Sequence, residues 1–172
     1  MLTVVSDTHG AADARLTGRT LTAVRDADVV VHAGDFTAAA VLDAFHAESD
    51  RLFAVHGNAD APSVTDRLPS ARTFEYGGVR FAVTHTRRGG ATGLSMFGRE
   101  RDADVVVSGH THRPSFQTGD PALLNPGSHA EPRGHEAAHA ELTRTETGLE
   151  GRLRAVTGET LETFAVRATR RR

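Results

Sequence analysis

The 172-residue sequence contains no cysteine, no lysine and no tryptophan. Without cysteine there can be no disulfide, no thiolate metal site and no cysteine nucleophile. Without lysine, Schiff-base chemistry and a Walker-type phosphate lysine are excluded. Aromatic residues make up only 5% of the chain, so its core has to be built from Val, Leu and Ala. No apolar run approaches the ~20 residues that a membrane span requires. The opening MLTVVSDTHG has no basic region ahead of an apolar stretch; it reads as a strand from residue 2 and not as a signal peptide. These absences predict a cytoplasmic protein with no membrane partner.

An excess of charge of either sign is also missing. Twenty basic residues, all Arg, stand against 22 acidic ones, giving a formal charge of −2. A nucleic-acid binder is expected to be basic overall, so no sequence-specific nucleic-acid partner is predicted. The length suits one domain over residues 1–172, burying roughly 70% of its unfolded surface. The last three residues, Arg170 to Arg172, read as a solvated tail.

What is present is a series of short β-branched runs, each ending in a polar cluster. Leu2–Val5 precedes Ser6-Asp7-Thr8-His9-Gly10, and Val29–Val31 precedes His32-Ala33-Gly34-Asp35. Leu52–Val55 runs into His56-Gly57-Asn58, Val79–Val83 into Thr84-His85, and Val105–Val107 into Ser108-Gly109-His110-Thr111-His112. Such runs bounded by turn formers predict buried strands. Helical spacing of apolar residues predicts helices over Leu16–Val24 and Ala38–Ala47, with a short one over Ala91–Arg101. Strand and helix alternate, which predicts an α/β layered sheet. The last third differs. Glu136–Arg144, Leu149–Thr157 and Leu161–Thr169 read as antiparallel strands, forming part of a second sheet or an edge.

Ligands of open α/β sheets collect beyond the carboxyl ends of the strands. Five strand ends deliver metal-type donors there: Asp7 and His9, Asp35, Asn58, His85, then His110 and His112. A lone histidine is more often a packed or capping residue; five coincidences of this kind are not. His-x-His on a strand would place both rings on one face. Carboxylate, amide and imidazole without thiolate suit Mn, Fe or Zn. Two divalent ions balanced by Asp7, Asp35 and a bridging hydroxide leave a site of about +1, which attracts a phosphoryl group.

In this order the motifs D-x-H, G-D, G-N, an isolated H and G-H-x-H resemble those of the calcineurin-like metallophosphoesterase superfamily. Ser6-Asp7-Thr8-His9-Gly10, Gly57-Asn58 with Asp60, Gly109-His110-Thr111-His112-Arg113-Pro114 and Asn125-Pro126-Gly127-Ser128 place the resemblance near the small YfcE-type phosphodiesterases. The resemblance implies a four-layer α-β-β-α sandwich, two facing mixed sheets flanked by helices. It also implies two divalent ions, Mn2+ first, with Ni2+, Fe2+, Zn2+ and Mg2+ as alternatives. Asp7, His9 and His112 would hold one ion, Asp35 would bridge, and Asn58, His85 and His110 would complete the second. The expected activity is hydrolysis of a small phosphate ester, most simply a diester, by a hydroxide bridging the two ions.

Three departures from the family pattern stand out. Ala59 follows the Gly-Asn pair where relatives carry His or Cys, so the usual general acid is missing. Thr86 and Arg87 follow His85 where relatives have Gly-His; Arg87 or Arg88 is a candidate phosphate clamp. The short C-terminal region leaves no room for a cap domain. Among other histidines, His32 and His56 read as supports of the metal motifs, His46 as surface, and His129 as a nearby outsider. The competing reading is a non-catalytic interaction scaffold, since the retromer subunit resembles the same fold without activity. A homo-oligomer is left open.

Overall fold

The computed structural model describes residues 1–168; the end of the last strand at Thr169 and the Arg170–Arg172 tail lie outside the described residues. Three parallel strands, β1 (Leu2–Val5), β2 (Val29–His32) and β3 (Leu52–Ala54), form half of a first sheet. Strands β4 (Ala71–Tyr76), β5 (Val79–Thr84), β6 (Val105–Val107), β7 (Ser115–Gln117) and β8 (Ala122–Asn125) form the second, in the order β4-β5-β6-β8-β7. Its three central strands, β5, β6 and β8, are parallel.

The predicted antiparallel strands of the last third are β9 (Ala138–Thr145), β10 (Gly148–Ala155) and β11 (Thr160–Arg167). They extend the first sheet instead of founding another: β9 pairs antiparallel with β1, giving the order β11-β10-β9-β1-β2-β3. Four elements escape the sequence reading. Strands β4, β7 and β8 are short or lie at the sheet margin, and the helix α3 (Pro62–Thr65) is one turn.

Period-two alternation explains the layering. Leu2, Val4, Val29 and Val31 point inward from the first sheet, to meet Phe81, Val83, Val105 and Val107 from the second, in one buried cluster. The intervening Val5 and Val30 point outward, against Val24 of α1 (Gly18–Arg25) and Val41, Leu42 and Phe45 of α2 (Ala39–Glu48). On the far side Ala82 and Val106 face Phe97 of α4 (Gly90–Arg99). The result is the expected α-β-β-α sandwich. Helix α4 contains three glycines and has weak intrinsic propensity. Packing keeps it: a Cβ at Gly98 would collide with Val106 and Pro121.

A buried polar network joins α1 to the added strands. Glu141 on β9 accepts two 2.7 Å hydrogen bonds from the Arg19 guanidinium and a third, at 2.9 Å, from His139 Nε2. Burial would raise the Glu141 carboxyl, but His139 and Arg19 more than offset it and hold the carboxyl at about 2, below the ordinary 4.5. A depressed carboxyl stabilises the fold above its unfolded pKa. That contribution should therefore be complete above about pH 4.5 and fade as pH falls toward 2. Glu141→Ala should cost on the order of 2–3 kcal/mol at neutral pH and flatten this acid limb. Urea unfolding from pH 2 to 7 on both proteins measures it; an unaltered acid limb in the variant would refute the assignment.

Candidate metal centre

All six central parallel strands deliver their carboxyl ends to one place. Asp7 and His9 follow β1, Asp35 follows β2, and Asn58 follows β3. His85 follows β5, His110 and His112 follow β6, and the loop after β8 carries Ser128 and Glu131. Five of the seven predicted donors adopt left-handed backbone: Asp7 (φ 55°), His9 (φ 45°), Asp35 (φ 63°), His110 (φ 72°) and His112 (φ 58°). Each such residue costs about 1–3 kcal/mol unless its surroundings over-determine it. They do. The Asp7, His9 and Gly10 amides donate to the carbonyls of Gly34, Asp35 and Phe36, so the turns after β1 and β2 are stitched together.

The spacing of His110 and His112 works differently from expectation. Neither lies on a strand; β6 ends at Val107. Their left-handed turns send the rings apart, His112 stacking on His9 at 5.1 Å and His110 standing edge-on to His85 at 5.3 Å.

The two carboxylates lie between the imidazoles of His9 and His85. Asp7 Oδ1 is 3.7 Å from His9 Nε2 and 3.9 Å from His85 Nε2, and Asp35 Oδ2 is 3.5 and 3.1 Å from the same atoms. His112 Nε2 approaches Asp7 Oδ1 at 3.2 Å. Among the described residues two groups have donor atoms close enough together to hold a cation, Asp7–His9–His112 and Asp7–Asp35–His85. Asn58 and His110 stand at the exposed rim, with His110 Nδ1 donating to Asn58 Oδ1 at 2.9 Å.

Backbone carbonyls can only accept, and this sets the histidine tautomers. His85 Nδ1–H donates to Ala33 O at 2.8 Å and His112 Nδ1–H to Glu131 O. In the neutral imidazole each would therefore offer the lone pair of Nε2 on the side of the carboxylates. The buried Nε2 atoms of His9 and His85 have no aligned hydrogen-bond partner. Orphaned imidazole nitrogens aimed at two buried carboxylates fit a divalent cation and fit no apolar packing role. The electrostatics agree. Burial raises the Asp35 carboxyl, yet His85, the Ala59 amide and His9 bring it down to about 2. Asp7 raises the His9 pKa against burial; burial lowers that of His85, but Asp35 and Asp7 outweigh it and the net shift is upward.

Several residues that the motifs contain, but whose individual contacts they do not specify, support the donors. Ser6 Oγ donates to Asp7 Oδ2 at 2.6 Å, and Ser128 Oγ to the Asp7 carbonyl at 2.7 Å. Asp60 accepts from the amides of Thr37, Gly57 and Asp35 at 2.6, 2.7 and 3.1 Å. Asn125 Nδ2 donates to Gly109 O and Thr111 Oγ1, holding the loop that carries both histidines. Gly57 and Gly109 are needed for space, because a Cβ would overlap Asp35 at the first and Ser6 at the second. His32 is buried and links both carboxylate turns: the Gly34 amide donates to its Nδ1, and its Nε2 donates to Thr8 Oγ1 at 2.8 Å. His56 is half-buried beside Gly57, and His46 is exposed on α2. His129 is packed near Phe45, donates from Nε2 to the Ala14 carbonyl and belongs to neither cation group; burial lowers it to about 4. Arg87 joins neither cation group; its guanidinium lies 4.3 Å over the Phe97 ring.

Residues 1–148 match the family described as the calcineurin-like phosphoesterase superfamily domain. The chain belongs to that superfamily. It is 35% identical over 138 residues to a probable metallophosphoesterase of Methanothermobacter thermautotrophicus, covering 77% of this chain and 79% of that one. Its fold is shared by a single-substitution variant of Vps29 from Entamoeba histolytica (TM-score 0.78, 17% identity, 95% and 97% of the two chains). It is shared equally by the phosphoesterase YfcE from E. coli (TM-score 0.70, 22% identity, 96% and 98%). The metallophosphoesterase fold follows from these likenesses; the family is divalent-metal dependent, and the Asp and His groups described above could bind a metal ion.

Asp60 should govern metal affinity without touching the ion. Outer-shell changes cost about 10–100-fold in affinity, and Asp60→Asn should fall in that range by calorimetric Mn2+ titration. Affinity within twofold of the unaltered protein would show that the three amide bonds to Asp60 do not position Asp35.

Proposed function

We propose that the chain is a two-metal phosphodiesterase of the YfcE type, with Mn2+ as its best activator and a small phosphate ester as substrate. The observation carrying this reading is the pair of buried carboxylates, Asp7 and Asp35, each within 3.9 Å of both His9 and His85. Asp7 and Asp35 would hold the ions together with these histidines: Asp7 belongs to both groups of donor atoms, and Asp35 is the carboxylate that the sequence motif implies the two ions would share. Divalent ions bound there would supply Lewis acidity toward phosphoryl oxygens and acidify water to a nucleophile near neutral pH.

The chain's own residues do the positioning. His85 and His112 donate from Nδ1 to backbone carbonyls, which orients Nε2 as the atom that would face a cation. The Ala59 amide donates to Asp35 Oδ1 at 2.8 Å, and the His110 amide to Asp7 Oδ2 at 2.9 Å. These bonds leave the other carboxylate oxygens facing the histidines. The side chain at Ala59 is exposed and carries no proton for a leaving oxygen. Asp60 cannot replace it, since its oxygens are engaged by three amides.

The scaffold reading, favoured by the Vps29-like fold, competes with this one and is separated from it by metal binding and turnover. Asp7→Ala and Asp35→Ala should each abolish hydrolysis of bis(4-nitrophenyl) phosphate and remove both ions, whereas His112→Ala should remove one. Metal counting together with a turnover assay tests this, and full activity in Asp35→Ala would end the bridging role. A second expectation concerns leaving groups. Activity should decline steeply from aryl diesters to alkyl monoesters, and Ala59→His should recover part of the loss, up to the 10²–10⁴-fold typical of a positioned acid. A flat dependence in the unaltered protein would show that another group protonates the leaving oxygen.

A further inference from the structure

The outer face of the second sheet is only partly covered. Helix α4 packs over β6 and β8, while edge strand β7 leaves Ser115 half-buried and Gln117 exposed. Between α4 and β7 runs a trough of about 680 Å³. His85, which is also a donor of the metal centre, and Gly109 belong to its lining, so the trough runs up beside the histidine side of that centre.

Its chemistry changes along its length. The cations that line it nearest the centre are Arg87 and Arg113, two residues past His85 and one past His112; His135 also lines it, and there is no Asp or Glu among the lining residues. Eight other arginines each have a carboxylate within 4 Å. None of these three trough side chains has one among the described residues, and Arg87 Nε is buried without a hydrogen-bond partner. The first turn of α4 opens here at Gly90 without a side-chain cap, adding the positive end of a helix. Farther out the walls become apolar, Leu94 from α4 and Leu123 from β8. Register places Ser115 opposite Asn125 and Gln117 opposite Leu123, so Gln117 lies about 7 Å farther from the centre. Its amide has no hydrogen bond among the described residues and shares the sheet face of Ser115.

The order is therefore metal centre, unpaired cations, apolar slot, free amide. A simple alkyl or aryl ester would use neither the cations nor the amide. A nucleotide uses all of them, with phosphates on the arginines, a flat heterocycle between Leu94 and Leu123, and a hydrogen-bonding edge toward Gln117.

We propose that this trough binds the nucleoside part of a nucleotide, so that the substrate is a nucleotide ester; only its scissile position rests on the phosphoesterase reading above. The test is calorimetric titration of the full chain with ADP, with pyrophosphate and with adenosine, in EDTA where no turnover occurs. ADP should bind at least tenfold more tightly than pyrophosphate. Ala91 is exposed on the first turn of α4 and lines the trough, so Ala91→Phe fills the slot without touching the core. It should lower the ADP-to-pyrophosphate affinity ratio at least tenfold, and Arg113→Gln should weaken ADP at least fivefold more than adenosine. ADP no tighter than pyrophosphate, or a ratio that survives Ala91→Phe, overturns the proposal. So does sedimentation in which Ala91→Phe dissolves a dimer while leaving the ratio intact, which would make a second copy the occupant. Hydrolysis of bis(4-nitrophenyl) phosphate with Mn2+ is read in parallel. Its absence beside the expected ADP binding would sink the phosphoesterase reading and leave the trough as a nucleotide site; its presence without ADP preference would sink the trough alone.

Discussion

Two carboxylates hidden from water, Asp7 and Asp35, are the constraint around which the molecule is arranged. A buried carboxylate is tolerated only where opposite charge and hydrogen-bond donors surround it. Here the Ser6 hydroxyl and His110 amide hold Asp7, the Ala59 amide holds Asp35, and His9, His85 and His112 supply the remaining side. Because those donors come from strands of both sheets, the two halves of the sandwich must meet at one register for the charges to be satisfied.

That demand explains the strain concentrated at the strand ends. Five donor residues in left-handed turns would be unfavourable in isolation. The amide ladder between the first two turns, the three amides on Asp60 and the Asn125 clasp on the histidine loop over-determine them. The inter-sheet core beneath is Val, Leu and Phe, and it supplies the rigidity against which these turns are held.

The same architecture generates the trough. The first sheet is covered by α1, α2 and the short α3, but among the described residues α4 is the helix on the outer face of the second, so the margin between α4 and β7 stays open. Incomplete covering of a sheet edge normally invites pairing or aggregation. Here the opening lies beside the carboxylate centre and is lined by unpaired cations, which makes it a recognition surface contiguous with the chemistry.

Much of this was legible from residues alone, for a physical reason: a strand end is a local pattern. The runs Leu2–Val5, Val29–Val31 and Val105–Val107, the three longer helices and the placing of Asp7, His9, Asp35, His85 and His112 at the strand ends could be read because β-branched runs, helical spacing and turn residues act over a few positions. Short marginal strands such as Ser115–Gln117 leave no comparable trace, and their pairing depends on a partner many residues away. Tertiary structure alone decided that His110 and His112 part company, because left-handed turns replace strand alternation there. It alone revealed Ser6, Ser128 and Asp60 as holders of the carboxylates, and moved β9 to β11 onto the first sheet through the contact of β9 with β1. It also decided that Arg87, Arg113 and His135 share a cavity, since residues up to 48 positions apart meet only once the sheets have closed. Local sequence determined which donors the chain possesses; long-range packing determined which atoms of them face one another.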